Sequence, residues 1–165
     1  MTPTAATRRA LLRAGGAAAV TPLFAGCSVL AAPMSDALRA QPPAGMARRV
    51  DLAVPFVAQD DNLCGPATLA MVLRAAGLAG EMGTLTEQVY LPGREGSLQI
   101  EMLAATRRQG ALAFTLPPRL QAVAEQLASG TPVALLLNLA LSWLPRWHYA
   151  VWIGYDLDTG RAWLH

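Results

Sequence analysis

Cys64 opens the run Cys64-Gly65-Pro66-Ala67-Thr68-Leu69-Ala70-Met71-Val72-Leu73, and Gln59 stands five residues upstream. A cysteine on the first residues of a helix faces unpaired backbone N–H groups and a partial positive charge, which both favour thiolate over thiol. Only the thiolate is a good nucleophile. Such a nucleophile needs a base for its proton, a donor for the oxyanion of the tetrahedral intermediate and, as a rule, a third group to orient the base. His148 is the candidate base, because the one other histidine, His165, is the last residue of the chain. Gln59 is the candidate oxyanion donor, its side-chain amide joining the Cys64 N–H. Each of these residues taken singly is more often core packing, a satisfied strand histidine or a solvated loop glutamine; their order and contexts together point to chemistry.

The elements that must position them follow from local signals. Pro66 suits a first helical turn and Gly77 a helix stop, so a helix is expected over about 64–76 with Leu69, Met71, Val72 and Leu73 inward. Thr84 or Thr86 starts a short helix toward Val89, Leu91 to Ser97 is a turn-rich loop, and Ser97 caps a helix from Leu98 to Gln109. Ala111 to Leu116 reads as a strand, Leu120 to Ala128 as a helix closed by Ser129-Gly130, and Val133 to Leu139 as a central strand buried on both faces. After the loop Ser142-Trp143-Leu144-Pro145-Arg146-Trp147, residues His148 to Tyr155 alternate as a strand, with His148, Ala150, Trp152 and Gly154 on one side. A turn at Asp156-Leu157-Asp158-Thr159-Gly160 leads to a return strand from Arg161. Helices first and antiparallel strands last define an α+β domain.

The chain has 165 residues, 53% hydrophobic and 15% charged, enough for one domain with a real core. All 13 basic residues are arginine; setting aside Arg8, Arg9 and Arg13 leaves ten against 11 acidic residues, a net charge near −1. No basic stripe points to nucleic acid.

Residues 1–27 read as an export signal. Thr7-Arg8-Arg9-Ala10-Leu11-Leu12-Arg13 resembles a twin-arginine pattern, and equally suits an ordinary charged n-region. The uncharged stretch from Ala14 to Ala25 is too short to span a bilayer. It ends in Phe24-Ala25-Gly26-Cys27, which resembles a bacterial lipobox whose cysteine is acylated; an uncleaved anchor or a plain signal peptide is the alternative. With Cys27 acylated, Cys64 has no disulfide partner in an oxidising compartment. Residues 28–49, rich in Ala and Pro, read as a flexible tether, with the domain over 50–165.

Gln59 to Leu73 and His148 to Asp156 resemble the two signature blocks of the C39-like branch of papain-fold cysteine peptidases, the group that includes bacteriocin-leader-processing domains. Val54-Pro55-Phe56, Val89 to Gln99 and Asn138 to His148 are further similar to a bacterial lipoprotein subgroup of it. The resemblance implies a papain-like fold, N-terminal helices packed on a C-terminal antiparallel sheet. It implies Cys64 as nucleophile, His148 as general base and acid and Gln59 at the oxyanion position. It implies no cofactor and no metal. The family's carboxylate or amide that orients the histidine comes from the strand after the histidine strand. Asp156 and Asp158 fall too early to match it, and that strand is barely begun at Leu164-His165; the third member is expected beyond His165 or absent, leaving the last strands incomplete.

The expectation is therefore a hydrolase, a lipid-anchored thiol peptidase acting on a peptide or protein substrate. It would sit in the bacterial cell envelope facing the periplasm, with Ser28 after the acylated position favouring the outer membrane. The alternatives are a catalytically silent papain-fold binding or scaffolding lipoprotein and an acyltransferase using the same Cys-His pair. Trp143 and Trp147 either line a substrate groove or plug the core, and Arg94-Glu95 with Ser97 either contact a peptide or form a solvated turn.

Overall fold

The structure, a computed structural model, describes residues 33–165. The export signal over 1–27, Cys27 and the start of the tether lie outside the described residues. Within them the chain forms an α+β unit of helices and antiparallel sheets from Pro33 to His165. No helix among the described residues is long and apolar enough to cross a membrane.

The expected tether carries a helix. Pro33–Ala40 is helix α1, with Asp36 in its first turn and Arg39 in its last, charges that suit the helix dipole. Leu38 is its anchor, 7% exposed in a cluster with Ala124, Leu127, Trp152, Tyr155 and Leu157. Arg39 Nε donates to the Leu157 carbonyl at 2.9 Å, tying the helix to the far hairpin. An eight-residue helix is marginal by itself; tertiary docking makes it.

Strand β1, Arg49–Asp51, leads to helix α2, Cys64–Ala75. The Gly77 stop is as expected, with φ +77°. Helix α3 is Met82–Val89, starting ahead of either threonine. The turn-rich stretch after it is a tight arm: β2, Tyr90–Leu91, pairs antiparallel with β3, Gly96–Ser97, around a 3-10 turn at Pro92–Arg94. Ser97 thus lies in a strand and does not cap helix α4, Gln99–Arg108, whose N-cap is Leu98. Ala111 to Leu116 finds no neighbouring strand; Leu112 and Phe114 point outward, 93% and 67% exposed. Helix α5, Leu120–Ala128, follows as expected.

Strand β4, Val133–Asn138, pairs with the first half of β5, Trp147–Asp156. It is not the doubly buried central strand that its apolar run suggests, since Ala134 and Asn138 are exposed. That role belongs to β5, which pairs antiparallel with β4, with β1 and with β6, Arg161–Leu164. The β6 ladder continues through His165, whose N–H and carbonyl both bond Val151 at 2.9 Å. From Tyr149 to Leu157 every residue of β5 and the start of its turn is buried. Tyr149, Val151 and Ile153 pack beneath α2 with Leu69, Leu73 and Leu85. Trp152 and Tyr155 face α1 and α5 instead. Helices therefore cover both faces of the sheet, and β5 carries the site residues out of the core at its Trp147 end.

Candidate active site

A tight turn delivers Cys64 to the first position of α2. Leu63 N–H bonds the Asp60 carbonyl at 3.2 Å, and Asn62 takes a left-handed φ of 67°, a conformation asparagine tolerates better than most residues. The first intrahelical bond runs from the Ala67 N–H to the Leu63 carbonyl, 3.1 Å. The N–H groups of Cys64 and Gly65 therefore sit at the positive end of the helix, ahead of that bond. Cys64 is half-buried and in no disulfide among the described residues.

The same turn folds Gln59 back toward the helix end. Gln59, Cys64 and His148 all line one open cavity of about 1050 Å³, the sequence-predicted trio brought to one place. Gln59 is exposed on its loop and His148 half-buried. Among the described residues no hydrogen bond joins the three. Bonds between catalytic groups are often long before substrate binds and tighten in the complex.

His148 and Tyr149 are paired across the ladder with Leu137 and Leu136. Trp152, on the side of β5 that alternation shares with His148, packs into the α1–α5 cluster. Tyr149 instead occupies the Cys64 side. Its hydroxyl is buried without a hydrogen-bond partner, and burial, followed by the nearby charge of Cys64, pushes its pKa up to about 12. Sequence reasoning gave Tyr149 no role, because it only alternated with His148.

The opposite wall is the β2–β3 arm. Ser97 packs against Gly65 so closely that a Cβ there would collide with its side chain, and Ser97 Oγ is also buried without a partner. Arg94 and Glu95 line the cavity and remain exposed.

The third wall is the β4–β5 connection, which Asn138 organises. Its Oδ1 accepts from the N–H groups of Ala140 (3.1 Å) and Arg146 (2.9 Å), and Nδ2 donates to the Leu141 carbonyl at 3.3 Å. Trp143 is 76% exposed and Trp147 60%, so neither plugs the core; Trp147 lines the cavity.

No carboxylate of the hairpin reaches His148. Asp156 is eight residues along β5, about 26 Å at the usual rise of about 3.3 Å per residue. The N–H of Thr159, then that of Asp158, and Arg49 at 3.5 Å hold its carboxyl below the ordinary range. Asp158 bonds Arg48 Nε at 2.8 Å and Nη2 at 2.6 Å. His165 stacks at a tilt on Phe56, ring centroids 5.3 Å apart.

A thiol at a helix start, an imidazole and an amide on one cleft form the kind of arrangement that cysteine peptidases use, and the sequence as a whole agrees. The chain belongs to the Peptidase_C39 like family, whose profile matches residues 51–165. No curated protein and no solved structure matches it.

Proposed function

We propose that the protein is an exported, lipid-anchored cysteine peptidase of papain-like architecture. The observation that supports this most is the convergence of Cys64, His148 and Gln59 on one cavity, with the sulfur at the positive end of α2. In this reading His148 takes the Cys64 proton and the thiolate attacks a peptide carbonyl. The Gln59 amide and the Cys64 N–H receive the oxyanion. As the C–N bond breaks, His148 returns the proton to the leaving amine, and water activated by His148 then cleaves the thioester. The lipid would be carried on Cys27, with the domain in the envelope facing the periplasm, and Ser28 favours the outer membrane.

One observation favours a second reading, a binding lipoprotein with a silent Cys-His pair: no carboxylate among the described hairpin residues orients His148. Labelling by iodoacetamide or an epoxysuccinyl probe separates the two. A peptidase gives rapid modification of Cys64 that His148→Ala abolishes, together with hydrolysis of a peptide library. Slow labelling indifferent to His148→Ala would refute the peptidase. Acyl transfer to an added amine in preference to water would reassign it as a transferase.

A further inference from the structure

Ser97 Oγ and Tyr149 Oη are the two buried side-chain polar atoms without a partner among the described residues, and both residues line the cavity into which Cys64 opens. A buried tyrosine hydroxyl ordinarily finds a partner, because leaving it unpaired carries the full cost of its desolvation. Tyr149 is 7% exposed, and its hydroxyl oxygen is buried. Its ring is fixed by the β5 ladder opposite Leu136 and by the core beneath α2, in the cluster that Cys64 itself borders. Among the described residues no acceptor, the Cys64 sulfur included, stands in hydrogen-bonding geometry with the hydroxyl before the thiol is ionised. A thiolate is a strong acceptor.

We propose that Tyr149 is a second stabiliser of the nucleophile, its hydroxyl donating a hydrogen bond to the Cys64 sulfur once the thiol proton has passed to His148. No bond to carbon forms or breaks in this step: sulfur gains the negative charge, the imidazole gains the proton, and the phenol keeps its own. The raised pKa of Tyr149 keeps it protonated, hence a donor, at every pH where the protein would work. This inference rests on the reading of Cys64 as nucleophile, and its test is independent of peptide hydrolysis.

The pH dependence of Cys64 alkylation by iodoacetamide reports the thiol pKa directly. Asp60 and Asp61 ahead of α2, Arg94 and Glu95 on the arm, and Arg146 and His148 on the β4–β5 side also face this cavity. They are unchanged in Tyr149→Phe, so the difference from wild type reads the hydroxyl. Loss of one charge-assisted bond is expected to raise the thiol pKa by about one to two units, a fall of about 10–100-fold in labelling rate below it. The melting temperature should stay or rise, since an unpaired buried hydroxyl has been removed. A Tyr149→Phe profile superimposable on wild type overturns the proposal. Should that variant not fold, replacement of Tyr149 by 3-fluorotyrosine, a stronger donor, must lower the thiol pKa; no shift overturns the proposal equally. A profile changed by His148→Ala but not by Tyr149→Phe would defeat this inference alone. The reverse result would defeat the peptidase reading and the transfer of the thiol proton to His148, and leave only the bond from Tyr149 to the thiolate standing.

Discussion

Gly65→Ala puts the closest contact of the site under direct strain. A Cβ on residue 65 would lie 2.5 Å from Ser97 Cβ, closer still to Ser97 Oγ, and 3.4 Å from Met102 Sδ. The methionine contact is ordinary, but Ser97 Cβ is bonded to backbone that Tyr90 holds in register across the β2–β3 ladder. Overpacking of this kind costs about 1–3 kcal/mol, and alanine in place of a helical glycine returns up to about 1 kcal/mol. The net expectation is a loss of about 1–2 kcal/mol, which in a unit of this size is a fall of about 4–8 °C in melting temperature. Reactivity should fall further than stability, because the displaced residue adjoins Cys64 and a shift of about 1 Å at a reacting group costs on the order of 100-fold. Thermal melts and Cys64 alkylation rates on Gly65→Ala, Ser97→Gly and the double variant complete the cycle. Since Ser97→Gly removes both colliding atoms, the double variant should recover at least about 1 kcal/mol relative to the sum of the singles. If Gly65→Ala melts at or above wild type, or if the two changes are additive, the arm does not constrain the helix start as described.

Asn138→Ala removes three hydrogen bonds that close the loop before β5; with exposed bonds at the low end of about 0.5–1.5 kcal/mol each, the loss is about 1–2 kcal/mol. Hydrogen exchange should quicken over 139–146 while Val151 and its neighbours stay protected, and uniform quickening would contradict a local clamp. Asp156 gives the acid response its sign: the N–H of Thr159, the N–H of Asp158 and Arg49 lower its folded pKa. The stability it contributes is therefore present above the ordinary aspartate pKa of about 3.9 and is lost as pH falls through the lower folded value. Asp156→Asn should flatten this part of the acid limb in urea titrations, and an unchanged slope would show that the turn does not favour the ionised carboxylate.

How far the sequence could be read depended on whether a residue's role was local. Helix α2 was legible within a residue at its end because Pro66 and Gly77 act on their own backbone, and the β5 hairpin because alternation and an Asp-Thr-Gly turn are local too. Helix α1 was not, since Pro33–Ala40 depends on Leu38 meeting Leu127 from far along the chain. Ala111 to Leu116 has the composition of a strand, but a strand exists only beside a second one, which composition does not report. Ser97 has the type of a helix cap, and β-pairing with Tyr90 claims it first. The same division runs through the cavity. Cys64, His148 and Gln59 stand out because few residue types can do their chemistry. Tyr149 and Ser97 belong to types found everywhere, and what marks them is a state, burial without a partner, that arises only when β5 and the arm close on the start of α2. A buried hydroxyl left unpaired is a standing cost to the fold. Both residues line the cavity that Cys64 lines, and the proposed donation from Tyr149 gives one of these hydroxyls an acceptor once the sulfur is charged.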